Sequence, residues 1–323
     1  MPAPSIVSPI VNPATPYLSV VIPVYNEQDN LRPLFDRLTR VMDDCGHSYE
    51  IIFTNDGSKD KSSEILRELH KARPKQVRVI EFNRNYGQHM AIMAAFERAR
   101  GEYIINLDAD MQNPPEEIPK LIEKINAGHD VVNSFRMDRQ DSWFRNNISR
   151  FANKVRYLIS GIQVADMGCM LRAYHKDIAK QITQSQEAST FITLLAQMYA
   201  ANPAEVGVKH AAREAGKSNY NLYKLLRYNF DMMTSVSIVP LQLFTIIGMA
   251  VSALSGLLVA YMLLRRLIIG PEAEGLFTLF AIAFFLMGVI ITGLGIVGEY
   301  VGRIYQTVRA RPRYSIKTIH EDI

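Results

Sequence analysis

The sequence has 323 residues, enough for one large domain or two modest ones with ample core. Hydrophobic residues make up 48% and the net charge is only +4, so no bulk charge draws the chain to nucleic acid. Two cysteines, Cys45 and Cys169, exclude a disulfide framework and a cysteine metal motif, and both read as reduced and cytoplasmic.

Residues 1–17 are rich in proline and lack a charged stretch followed by an apolar run, so they read as a loose arm and not a signal peptide. From residue 18 to 135, short apolar runs alternate with amphipathic segments. LSVVIP precedes a helical pattern from Gln28 to Asp44, and YEIIFT one from Asp60 to Ala72. VRVIEF precedes one from Gly87 to Ala99, and YIINL one from Glu116 to Ala127, before DVVNS. Trp143 to Ile159 is again helical in pattern, and GCMLRAY and EVGVKHA read as later strands. This alternation predicts an α/β domain over 18–219 with a mainly parallel, Rossmann-like sheet and right-handed crossovers. Ligands bind beyond the carboxyl ends of such strands, so the polar residues there carry the chemistry.

The first strand ends in Pro23-Val24-Tyr25-Asn26-Glu27, the second in Asn55-Asp56-Gly57-Ser58, and the fourth in Asp108-Ala109-Asp110-Met111-Gln112. An Asp-x-Asp after a buried strand sets two carboxylates close together, and like charges so placed repel unless a cation sits between them. Mg²⁺ and Mn²⁺ favour such oxygen ligands together with substrate phosphates. By itself an Asp-x-Asp is as readily a solvated loop; three strand-end motifs in register point to a nucleotide diphosphate. Asn83 to Gly87 follows the third strand, where Asn85 and Gly87 suit close approach to an anion before a helix. Arg136, Arg139, Arg145 and Arg150 cluster after the fifth strand, with Ser149 one turn from Arg145; arginine forks suit phosphate, although some of the four serve only a solvated face.

No charge occurs from Met232 to Leu264 or from Gly275 to Gly298. Each run exceeds the roughly 20 residues that cross a bilayer as a helix. They predict a C-terminal two-helix transmembrane hairpin over 236–298, followed by a cytoplasmic tail over 299–323. Residues 220–235 begin with apolar side chains interleaved with Lys224 and Arg227, which predicts a helix in the membrane interface. Lys224 and Arg227 before the hairpin, and Arg303, Arg309, Arg311, Arg313 and Lys317 after it, put both termini in the cytoplasm. Arg265, Arg266, Glu272 and Glu274 fall in the outer connector. Gly293 to Gly298 matches G-x-G-x-x-G, but inside the second span it serves helix packing, not a dinucleotide.

With VVIPVYNE, NDGSKD and DADMQ at these spacings, the sequence resembles family 2 glycosyltransferases of the GT-A fold. The resemblance runs through both spans to GEYVGRIY and RPRY and is strongest to the polyprenyl phosphate sugar transferases. RNYGQHMAIMA, QNPPEEIP, RQDSWFR and GCMLRAY resemble the branch that uses 4-deoxy-4-formamido-L-arabinose, which serves lipid A decoration and polymyxin resistance. The resemblance implies a UDP-sugar donor, an undecaprenyl phosphate acceptor, a Mg²⁺ or Mn²⁺ cofactor and a bacterial inner-membrane location. It implies that Pro23, Tyr25, Glu27 and Asp56 hold the nucleoside, and that Asp108, Asp110 and Gln112 hold the metal and diphosphate. Arg136, Arg145 and Ser149 would receive the acceptor phosphate, Asp166 would be the catalytic base, and Arg213 would close over the donor. That closing loop usually reads R-x-x-G-x-S-K-Y. Here Asn219 stands for its lysine; either Lys217, two residues earlier, substitutes for it or the loop contributes less charge.

Transfer of glucose or mannose to the same lipid remains open, as do a processive polysaccharide synthase and a catalytically dead membrane-anchored binding protein. The oligomeric state is open as well, a homo-oligomer included. The intact Asp-x-Asp argues against a dead fold, and Trp143, the only tryptophan, sits in DSWFR and not in the Q-x-x-R-W of a processive synthase.

Overall fold

The computed structural model describes residues 15–137, 165–185, 192–210, 239–270, 276–309 and 312–322. Strands β1 (Leu18–Val24), β2 (Tyr49–Asn55), β3 (Val77–Phe82) and β4 (Tyr103–Asn106) are parallel neighbours in the order β3-β2-β1-β4. Every residue of β1, β2 and β3 is buried, and strands covered on both faces read as near-continuous apolar runs. Helices α1 (Leu31–Asp44), α2 (Ser62–Ala72) and α3 (Gln88–Phe96) supply the crossovers. α1 buries Leu31, Leu34, Phe35, Leu38 and Met42, a single stripe at helical spacing. α3 has no such stripe: every residue from Ala91 to Phe96 is buried against β1 and β2.

A 3₁₀ turn at Pro115–Glu117 leads into α4 (Ile118–Asn126) and then β5 (Val131–Arg136). β6 (Arg172–His175) lies antiparallel between β4 and β5. α5 (Lys176–Gln184) and α6 (Ile192–Tyr199) precede β7 (Pro203–Val208), which pairs parallel with β5. β8 (Ile316–His320) closes the far edge, antiparallel to β3, so the sheet reads β7-β5-β6-β4-β1-β2-β3-β8. β2 and β3 lie on one side of β1 and β4 on the other, which makes the β1/β4 junction the switch point where a ligand crevice opens.

The stretch GCMLRAY becomes a strand only at Arg172. That side chain is fully buried. Its guanidinium donates to Cys169 O (2.7 Å), Asp166 O (2.8 Å) and Asn133 Oδ1 (2.6 Å), so residues 166–169 turn to bring their carbonyls to it. A buried charge needs such a full set of partners.

Helices α7 (Val239–Ile269) and α8 (Leu276–Val308) contain the windows Leu241–Leu258 and Ile282–Gly302, each long and apolar enough to cross a membrane. Leu267 is 86% exposed and Ile268 76%, and so extended an apolar surface calls for lipid or protein over it. The two helices meet where Phe244 lies on Gly293; a Cβ there would fall 2.1 Å from the ring. α7 runs to Ile269, so Arg265 and Arg266 belong to its last turns and not to the connector. Residues 299–308 continue α8 and 316–320 form β8, structure that the tail's sequence pattern did not mark. The helix expected over 143–159, the interfacial helix over 220–235, residues 1–14 of the arm, and Glu272 and Glu274 lie outside the described residues.

Candidate active site

Much of the polar content of the first two motifs ties loops together. Asn26 N donates to Ser58 Oγ (3.0 Å), and its Oδ1 accepts from Lys59 N (2.8 Å). Glu27 N donates to Ser62 Oγ (3.0 Å), Gln28 N to Asp60 Oδ2 (3.2 Å), and Lys61 N returns to Gln28 Oε1 (3.1 Å). Asn26 holds a left-handed φ of 55°, a conformation asparagine tolerates. Gly57, at φ 68°, lets the second loop press on the third: a Cβ there would sit 2.4 Å from the Arg84 carbonyl carbon.

Asp56 is 2% exposed. Its Oδ1 accepts from Tyr86 N (2.6 Å) and its Oδ2 from Gly87 N (2.9 Å). Burial pushes this carboxyl up from its ordinary value, and the two amides pull it partly back. Asp56 therefore sets the shape of the Asn83–Gly87 loop.

Asp108 and Asp110 follow β4. Met111, at φ 59°, bends the chain so that Gln112 N reaches Asp110 Oδ1 at 3.2 Å. Gln88, the first residue of α3, donates through Nε2 to Asp108 Oδ1 (2.7 Å). Asp108 is pushed up to about 7, first by burial and then by the Asp110 carboxylate. Gln88 opposes that shift, Glu27 adds to it, and Arg172 opposes it.

These loops enclose a pocket of about 290 Å³. It is lined by Pro23, Tyr25, Glu27, Asp56, Asn85, Gly87, Asp108 and Asp110, all singled out from the sequence, and by Val24, Gln88 and Ala109, which were not. Gln112 braces Asp110 through its backbone and is not part of the lining.

Arg136, the last residue of β5, grips Asp166 side-on. Its Nε lies 2.6 Å from Oδ2 and its Nη2 3.1 Å from Oδ1. Asp166 Oδ1 also accepts from Gly168 N (2.9 Å). The two residues that sequence reasoning gave separate roles thus form one unit. His210, just beyond β7, is a residue that reasoning missed. Burial and then Arg136 hold its imidazole below the ordinary value, while Asp110 and Asp166 oppose them, so it stands within electrostatic reach of both the pocket and the ion pair. Among the described residues its buried Nδ1 has no hydrogen-bond partner. It follows a short strand-like run with no flanking motif, so no local signal marked it. Arg145, Ser149, Arg213 and Lys217 lie outside the described residues.

Residues 19–183 match the sequence model of glycosyl transferase family 2. The chain belongs to that family. It is 48% identical to the undecaprenyl-phosphate 4-deoxy-4-formamido-L-arabinose transferase of Edwardsiella ictaluri, over 94% of each chain. It is 46% identical to the protein of the same name from Aeromonas hydrophila, over 94% of this chain and 93% of that one. Among solved structures it resembles glucosyl-3-phosphoglycerate synthase from Mycobacterium tuberculosis, with a TM-score of 0.49 and 17% identity over 68% of this chain and 79% of that one.

The Asp108 shift has a measurable consequence. An unfolded aspartate titrates near 4. Between about pH 4 and 7 the folded, metal-free protein holds a proton that the unfolded chain has lost, so its stability falls as pH rises through that window. In chelator, the thermal midpoint of the wild type is expected to drop between about pH 5 and 8 by more than that of Asp108→Asn, which has no proton to lose. Parallel curves for the two proteins would remove the buried-proton account.

Proposed function

We propose that this chain transfers 4-deoxy-4-formamido-L-arabinose from a UDP donor to undecaprenyl phosphate, with inversion at the anomeric carbon. The observation that carries the reading is the meeting of three strand-end motifs, one of them a carboxylate pair, in one pocket, with His210 in electrostatic reach of both Asp110 and the Arg136–Asp166 unit. The relatives' names support the sugar and the lipid, and lipid A modification is the use the resemblance implies for the product.

Tyr25, 43% exposed at the pocket wall, offers an open ring to the base. Glu27 and the loop fixed by Asp56 flank the nucleoside. Asp108 and Asp110 fit a divalent cation, Mg²⁺ or Mn²⁺, because burial and the nearby Asp110 carboxylate push Asp108 up, and a cation between the two would relieve that repulsion. Among the described residues no three His, Cys, Asp or Glu side chains form a metal cage, so donor phosphates complete the ligand set, as is usual for such ions. When bound, the cation offsets the negative charge that gathers on the leaving diphosphate.

The acceptor is a phosphate monoester with a second pKa near 6, so at cytoplasmic pH it arrives largely as a dianion. One of its oxygens attacks the anomeric carbon, the bond to UDP breaks, and the electron pair leaves on the β-phosphate. No proton has to be removed. Arg136 presents its guanidinium to the acceptor, and Asp166 holds that guanidinium in place. α7 and α8 anchor the domain in the inner membrane with both termini cytoplasmic, which keeps the pocket at headgroup level.

Sealed membrane vesicles containing undecaprenyl phosphate test donor, acceptor and orientation together. Inverted vesicles given external UDP-sugars should add the formamido sugar to the lipid, as read by mass, and right-side-out vesicles should not. Equal use of UDP-glucose, or activity only in right-side-out vesicles, would overturn the reading.

A further inference from the structure

α8 ends at Val308 and β8 begins at Ile316, so seven residues link them. Seven extended residues span at most roughly 25 Å. β8 runs antiparallel to β3, so it enters the sheet beside Phe82 and leaves it near Arg78. The end of the apolar helix is thereby tethered within roughly 25 Å of the carboxyl edge of the sheet, where the pocket opens.

The entry point is the third pocket loop. Asn83 N donates to Ser315 O at 3.3 Å. Tyr314 stacks on Phe82, with centroids 5.0 Å apart and planes at 16°. Phe82 in turn meets Tyr86 edge-on at 5.6 Å. Tyr86 N is one of the two amides fixed by Asp56, and its neighbours Asn85 and Gly87 line the pocket. The Tyr314 hydroxyl donates to Glu97 Oε2 (2.5 Å), on the C-terminal cap of α3, and the first residue of that helix holds Asp108. The segment is pinned at both ends. Arg313 donates to Ser185 O, and Arg78, itself buried, donates to Glu321 (2.8 Å) and Glu50 (3.1 Å).

We propose that residues 313–321 are a strap that presets the donor loop, and that Tyr314 is a positioning residue for UDP-sugar binding. The proposal rests on reading the pocket as the donor site. A segment needed only for stability would set how much protein folds, not how tightly the folded protein binds donor.

The test uses the full chain in lipid nanodiscs, with UDP binding by calorimetry and separate KM values for donor and acceptor. Tyr314→Ala should raise the UDP Kd and the donor KM by about threefold to tenfold, the size of a lost aromatic pair. The acceptor KM should stay within about twofold. Tyr314→Phe keeps the stack and should recover most of the loss. If Tyr314→Ala fails to fold, Glu97→Gln, at an exposed cap, removes the hydroxyl's charged partner and should still raise the donor KM about twofold. An unchanged donor KM, with kcat falling only as the folded fraction falls, would overturn the strap. Asp110→Asn separates the two claims. If it abolishes UDP binding while the strap variants leave it intact, the strap fails alone. If it leaves UDP binding intact, the donor-site reading fails.

Discussion

Asp110→Asn is expected to lower turnover by about a hundredfold to a thousandfold, the usual cost of losing one preorganised charge-stabilising group. The side chain lines the pocket beside Asp108 and accepts the Gln112 amide through Oδ1, which an asparagine oxygen can still do. The loop should therefore keep its shape. What disappears is one of two carboxylates available to a cation and the donor diphosphate. The metal-free protein should not lose stability, because the substitution also removes a neighbour that pushes Asp108 up. UDP binding in Mg²⁺ or Mn²⁺ should weaken to near its value in chelator, and chelator should do little further to the variant. Full turnover of Asp110→Asn, or of the wild type in EDTA, would end the metal assignment.

The half of the molecule that carries the pocket was legible in the sequence for a plain reason. Its central strands are covered on both faces, so they stand out as apolar runs, and a parallel sheet places its ligand residues directly after them. Pro23, Tyr25, Glu27, Asp108 and Asp110 were found by counting outward from those runs. Asp56 was found in the same way, but its part in fixing the third loop was not legible, because its partners are the backbone amides of Tyr86 and Gly87. β8 was invisible. IKTIH has no alternation to notice, and its strongest anchor joins Arg78 to Glu321, 243 residues apart. Arg172 lies inside GCMLRAY, which reads only as a strand; its part as the hub that bends residues 166–169 rests on carbonyl partners that no pattern marks. The Arg136–Asp166 pair spans 30 residues with no local pattern, which is why its members received unrelated roles.

That pairing sets the second large expected effect. Arg136→Ala should lower acceptor use by about tenfold to a hundredfold, since hydrogen bonds to a charged group contribute roughly 1.5 to 3 kcal/mol. It should also cost stability, which loss of a phosphate contact alone would not. Asp166 is 6% exposed and would be left without its guanidinium, a change worth about 3–5 kcal/mol in fully buried pairs. The lower end applies here, because a quarter of the Arg136 side chain is open to solvent and the Gly168 amide remains. Arg136→Lys should recover the charge but not the side-on grip, and so only part of either loss. Asp166→Asn then separates two mechanisms. If Asp166 acts through Arg136, its loss should appear mainly in acceptor KM and stay nearly constant between about pH 7 and 8.5, above the phosphate pKa. A general base would instead give the wild type an acidic limb that the variant lacks. Both Asp166 oxygens engage Arg136, so the first outcome is expected. The double variant Arg136→Ala with Asp166→Ala completes the test, because residues acting as one unit do not add. Its turnover should match that of Arg136→Ala alone. Losses that multiply would give Asp166 a chemical role of its own and return it to the position of base.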